Sequence, residues 1–145
     1  MQEPSVELNN LTEQVIGAAI AVHRQLGPGF LESTYPKALS IELRHRGLSH
    51  NSESPVRLFY RDEPIGEGRL DLLVDQRLVV ELKAVEALHP IHKAQVISYL
   101  KATGHPLALL INFNVEVLRN GIQRIVLTER SSSASSAPLR LNPDA

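Results

Sequence analysis

Between residues 10 and 26, Leu11, Val15, Ala18, Ala19, Val22 and Leu26 recur at helical spacing, so this stretch predicts an amphipathic helix with one apolar face. Asn10 is placed to cap it, and Gly27-Pro28-Gly29 stops it. A second helical stripe, Tyr35, Leu39 and Leu43, lies within residues 30–46 and ends at Gly47. The period then falls to two. Residues 56–60 predict a short strand, Arg61-Asp62-Glu63-Pro64 a turn and residues 65–74 a second strand. Gly66 and Gly68 weaken the start of that strand and mark a bulge or a close approach to the backbone. Residues 78–85 form the third predicted strand. Pro90 suits the first turn of a helix running to about residue 103, closed by Gly104. Residues 107–113 are so apolar that they predict a buried central strand, and residues 122–128 a final one.

The order is helix, helix, three strands, helix, strand, strand. The first three strands can form an antiparallel meander, and the fourth, reached through a helical crossover, can pair parallel. The expected fold is α/β (α+β), a mixed central sheet flanked by helices. Residues 1–9 read as an N-terminal extension, residues 10–130 as the domain, and residues 131–145 as a Ser/Pro-rich tail too polar to order itself.

Composition narrows the function classes. At 145 residues, 43% of them apolar, the chain can bury a single core. The absence of cysteine excludes disulfides, thiolate metal sites and cysteine nucleophiles. No apolar run approaches the about 18 residues of a membrane span, and the start Met-Gln-Glu-Pro-Ser is unlike a signal peptide. A cytoplasmic protein without membrane contact is expected. Fifteen basic against sixteen acidic residues argue against indiscriminate coating of nucleic acid, though not against a nuclease. With aromatics at 4%, contact with a nucleic acid should run through phosphates rather than stacked bases.

The candidate chemistry sits on the third predicted strand. Glu81 and Lys83 are two apart and share a face, while Leu78, Val80, Leu82 and Ala84 cover the other. With a three-residue hairpin loop, Asp75-Gln76-Arg77, Val74 faces Leu78 and Asp71 falls opposite Glu81; a two-residue loop throws the two carboxylates onto opposite faces. Opposed carboxylates repel, and a bound Mg²⁺ or Mn²⁺ removes that penalty. The bland alternative is a pair of solvated acids on the open face of a sheet. Gln95 and Tyr99, four apart, are neighbours on one face of the predicted third helix, with His92 on the same side and Ile97 and Leu100 pointing away. Arg69 is placed either to meet a phosphate or to pair with Glu67 or another acid. The remaining histidines show no ligand spacing.

Asp71 and Glu81-x-Lys83 resemble the PD-(D/E)xK nuclease superfamily, with Leu70 in place of the proline before the first acid. Gln95-x-x-x-Tyr99 looks like the QxxxY element of recombination-helicase nuclease domains and phage exonucleases. More narrowly, Gly29-Phe-Leu-Glu32-Ser-Thr-Tyr35 resembles the signature of the small bacterial GxxExxY proteins, as do Val22-His-Arg-Gln-Leu-Gly27, Tyr99-Leu-Lys-Ala-Thr-Gly104 and Leu110-Ile-Asn-Phe113. The likeness runs over residues 10–128. It implies a restriction-endonuclease-like core and hydrolysis of DNA phosphodiesters. It further implies Mg²⁺ (or Mn²⁺) on Asp71, Glu81, the Leu82 carbonyl and Glu32, Lys83 beside the attacking water, and Gln95 and Tyr99 orienting the site. Pro36 departs from the pattern: either the second helix starts late, with Pro36 in its first turn, or it kinks there. Two rival readings stand beside this one, a non-catalytic nucleic-acid- or partner-binding module on the same fold and a hydrolase of a small phosphoester. The sequence leaves the oligomeric state open.

Overall fold

A computed structural model describes residues 4–127; the predicted tail lies outside them. Three helices and five strands follow in the order α1 (Val6–Leu26), α2 (Thr34–His45), β1 (His50–Tyr60), β2 (Glu63–Val74), β3 (Leu78–Lys83), α3 (Pro90–Thr103), β4 (Leu107–Asn112) and β5 (Ile122–Val126), with a 3-10 turn, Leu118–Gly121, before the last strand. The sheet order is β1-β2-β3-β4-β5. The first three strands form the antiparallel meander, β4 joins β3 in parallel and β5 closes the far edge antiparallel. This is the mixed sheet expected from the alternation of periods.

The sheet divides the core in two. On one face Val15, Ala18, Ala19 and Val22 of α1 and Tyr35, Leu39 and Leu43 of α2 pack on Leu72, Val74, Leu78, Val80, Leu82, Leu107, Leu109 and Ile111. On the other, Val96 and Leu100 of α3 pack on Leu70, Leu73, Val79, Ala108 and Leu110. β4 is buried along its whole length because helices cover both its faces.

Several boundaries differ from the sequence reading. The first helix begins at Val6, capped by the Ser5 side chain, which accepts from the Leu8 N–H at 3.1 Å; Asn10 is an internal, exposed position. Pro36 sits in the first turn of α2, the late-start alternative, and needs no kink. β1 starts at His50, ahead of its first apolar pair, because its early residues lie on the sheet edge and bury little. The β1–β2 turn is the tight pair Arg61-Asp62, both at positive φ as a type I′ hairpin requires. Gly68 does mark a close approach: a Cβ there would lie 2.7 Å from the Tyr99 hydroxyl.

Candidate active site

The β2–β3 hairpin turns through Asp75, Gln76 and Arg77, with Arg77 N–H donating to the Val74 carbonyl at 3.0 Å. Val74 pairs with Leu78, Leu73 with Val79 and Leu72 with Val80, the register that brings Asp71 to Glu81. At that point the strands stop exchanging backbone bonds and exchange side chains. The Asp71 N–H donates to Glu81 Oε2 at 2.8 Å, and the Leu82 N–H donates to Asp71 Oδ2 at 2.8 Å. Each carboxylate thus satisfies an amide on the opposite strand and keeps a second oxygen with no donor among the described residues.

The alternation of β2 slips here. Leu70 packs beneath α3, Leu72 beneath α1 and α2, and Leu73 beneath α3 again. Across the ladder, Ser52 pairs with Leu72 and Ser54 with Leu70, but Glu53, at φ 50°, does not bridge Asp71. Asp71 therefore occupies a local kink rather than a regular strand position. Arg69 pairs with Glu53 at 3.0 Å on the surface, as the second of the two readings open to it has it.

Glu81 is 5% exposed, the only acid buried to that degree among the described residues. Burial, reinforced by the Asp71 charge, pushes its carboxyl up to about 8, against the Asp71 N–H and the Lys83 ammonium. Asp71 is raised as well, first by burial and then by Glu32 and Glu53, with the Leu82 N–H and Lys83 opposing. Two acids that resist ionisation side by side, with an ammonium acting on both, form a local charge balance a cation would complete.

Glu32, fifty-two residues before its partner, accepts the Ala84 N–H at 3.1 Å, which fastens the turn ahead of α2 to the end of β3. The turn is held from beneath by Tyr35. Its hydroxyl donates to the Gly27 carbonyl at 2.8 Å and accepts from the Phe30 N–H at 3.1 Å, and its buried ring stacks on Phe113 with centroids 4.6 Å apart. Glu32 and Tyr35 of the Gly29–Tyr35 segment thus act together, Tyr35 holding the turn and Glu32 tying it to the end of β3.

On the other side of β3, Asn112 holds the chain after Lys83. Its amide oxygen accepts from the Val85 and Asn114 N–H groups at 3.0 and 3.1 Å, and its amide nitrogen donates to the Val85 carbonyl at 2.9 Å. The Phe113 N–H donates to the Lys83 carbonyl at 2.8 Å. The third strand, predicted to run to residue 85, therefore ends its backbone ladder at Lys83 and continues to Val85 through one side chain. The role of Asn112 was not anticipated; a lone asparagine closing an apolar run was the available signal.

Asp71 and Glu32 open onto a cavity of about 370 Å³ that also takes in Ser33, Lys37, Ser52 and Glu53. Gln95 is exposed on α3 with no hydrogen-bond partner among the described residues, and Tyr99 is half-buried against the α3 core and Gly68. Neither lines this cavity. His92 caps α3, its Nδ1 accepting from the His89 N–H at 2.9 Å.

Among the described residues no three carboxylate or imidazole groups converge into a set able to hold an ion. Asp71 and Glu81 form a pair, with Glu32 apart from them at the turn. The pair still suits a hard divalent cation, since Mg²⁺ is commonly held by one or two carboxylates, with water and phosphate oxygens completing its shell.

The family model of the PD-(D/E)XK nuclease superfamily matches residues 9–125. No curated protein matches the chain. Among solved structures, the crystal structure of SSO0001 superposes with a TM-score of 0.48 at 16% identity, over 68% of this chain and 50% of that one. The chain spans half the length of that protein. An alkaline exonuclease (LHK-Exo) from Laribacter hongkongensis superposes with a TM-score of 0.50 at 12% identity, over 92% of this chain and 76% of that one. At such identity the likeness is one of fold.

Proposed function

The chain belongs to the PD-(D/E)XK nuclease superfamily, and on that premise we propose that it is a metal-dependent nuclease of the GxxExxY group, acting in the cytoplasm on DNA phosphodiester bonds. The observation that carries this reading is the crossed pair of half-buried Asp71 and buried Glu81, each with one oxygen free of donors among the described residues, with the charge of Lys83 acting on both. Asp71 and Glu81 would hold Mg²⁺ or Mn²⁺, with the Leu82 carbonyl as a further donor. When bound, such an ion polarises the scissile phosphate and lowers the pKa of water.

The chain's own groups supply the remainder. Lys83, fixed through its carbonyl by the Phe113 N–H, orients the attacking water and offsets the negative charge that builds on the phosphoryl oxygens. Glu32 adds a third acidic charge at the mouth and keeps the end of β3 in place. Gln95 and Tyr99 on α3 contact a phosphate farther along the strand. No described helix is long and apolar enough to cross a membrane.

The test is an assay on supercoiled plasmid, linear duplex, single-stranded DNA and RNA with Mg²⁺, Mn²⁺ or EDTA, run beside Glu81→Gln and Lys83→Ala. Cleavage of DNA that disappears with EDTA and in both variants supports the reading. Binding of nucleic acid without cleavage of any substrate transfers support to the non-catalytic module.

A further inference from the structure

The cavity beside Asp71 carries a charge problem. Glu32, Glu53 and Asp71 line it, and a phosphodiester strand entering it brings more negative charge. Glu53 is neutralised by Arg69. Lys83 acts on the carboxylate pair but does not line this space. Lys37, in the first turns of α2, is the one cation among the described residues that does.

Lys37 is exposed and forms no ion pair among the described residues, whose three salt bridges are Arg46–Glu42, Arg69–Glu53 and Arg77–Asp75. It is not spent on the acids it faces. Its position is also the wrong one for the helix: a cation near the N-terminus opposes the dipole, and the first turn of α2 contains no acid to offset it. Ser33, at the start of α2, and Ser52, on β1, are polar residues that also line the cavity. A lone ammonium with hydroxyls beside a scissile centre suits the phosphate next to the one being cut, since that phosphate has no metal to neutralise it.

We propose that Lys37 is a substrate-positioning residue that binds a backbone phosphate neighbouring the scissile one; this rests on the nuclease reading of Asp71, Glu81 and Lys83. Its contribution is to register and affinity rather than to the chemical step. The residue predicts a preference for polynucleotide over an isolated phosphodiester, because only a strand offers the second phosphate.

The experiment compares wild type, Lys37→Ala and Lys37→Arg. Affinity for a fluorescein-labelled oligodeoxynucleotide is measured by anisotropy in EDTA over a range of KCl, and steady-state cleavage is measured with Mg²⁺. For Lys37→Ala the expected result is a KM about tenfold higher, as for loss of one charge-assisted hydrogen bond, with kcat near that of wild type. The salt slope of binding should fall by about 0.7 to 0.9, the share of one phosphate contact. Lys37→Arg should restore both, and Tm should not fall in either variant. Hydrolysis of bis-p-nitrophenyl phosphate, which has one phosphate, should be equal in wild type and Lys37→Ala. If wild type cleaves DNA and the salt slope and KM of Lys37→Ala are unchanged, the assignment of Lys37 is overturned and the nuclease reading stands. A wild type that neither binds nor cleaves any nucleic acid overturns both.

Discussion

Replacing Glu81 by glutamine removes a titratable proton from the most buried acidic position among the described residues while retaining the oxygen that accepts the Asp71 N–H. In the folded protein this carboxyl titrates near 8 instead of its ordinary 4.5, because burial and the Asp71 charge disfavour the ionised form. A native state that holds its proton more tightly than the unfolded chain is favoured at low pH. The stabilisation is complete below the unfolded pKa and is lost as pH rises from about 4.5 through about 8. Within that window the loss approaches about 1.4 kcal/mol per pH unit, or about 3 kcal/mol by pH 7. Glu81→Gln has no proton to lose, so without divalent metal it should match wild type near pH 4 and exceed it at pH 7 and above. For a chain of this size the gain corresponds to a Tm difference on the order of 10 °C. Thermal melts of both proteins in EDTA across that pH range make the measurement, with the difference between them cancelling the histidines and other groups they share. A difference that stays flat from acid to neutral pH refutes the account, since it would mean that Glu81 ionises in the folded protein as freely as in water.

Lys83→Ala should leave Tm and metal binding nearly intact while turnover falls by roughly 10²–10³-fold, as for loss of charge stabilisation at a reacting centre; cleavage at the wild-type rate removes Lys83 from the chemistry. In Mg²⁺ at a hundredfold excess over Kd, wild type should gain about 2.7 kcal/mol by linkage and Asp71→Asn should lose most of that gain, with the two compared in EDTA as reference. Equal responses to metal in differential scanning calorimetry would deny Asp71 a place in a metal site. Asn112→Ala strands the half-buried backbone of Val85 and opens a void at the buried Asn112 position, and should cost about 1 to 3 kcal/mol by urea denaturation; a loss under about half a kcal/mol would mean that water replaces the side chain. Gly68→Ala drives a Cβ into the Tyr99 hydroxyl and should cost about 1 to 3 kcal/mol, and the cost should vanish in a Tyr99→Leu background; additive effects in that double-mutant cycle would place the strain elsewhere.

Local periodicity was enough for whatever is buried on a regular face. The apolar stripe of α1, the apolar β4 and the crossover between β3 and β4 follow from spacing, because burial writes a period of 3.6 or 2 into the chain, whereas the choice of the three-residue turn that aligns Asp71 with Glu81 was left open by it. The early half of β1 wrote no such period: as an edge with both faces largely exposed, it is a strand through its hydrogen bonds to β2 alone. Nor could spacing show the slip of β2 at Asp71, which depends on Glu53 turning to positive φ on the neighbouring strand. The three acids could be named as candidates, and Asp71 placed opposite Glu81 for one loop length, but neither their burial nor the tie of Glu32 to β3 could be read. Glu32 meets Ala84 where Tyr35, packed on Phe113, holds the turn, and Glu81 resists ionisation because it is buried in the folded chain beside the Asp71 charge. Side-chain type is a property of one position, whereas distance, burial and acidity at this site depend on residues far away in the chain, which packing alone brings within reach.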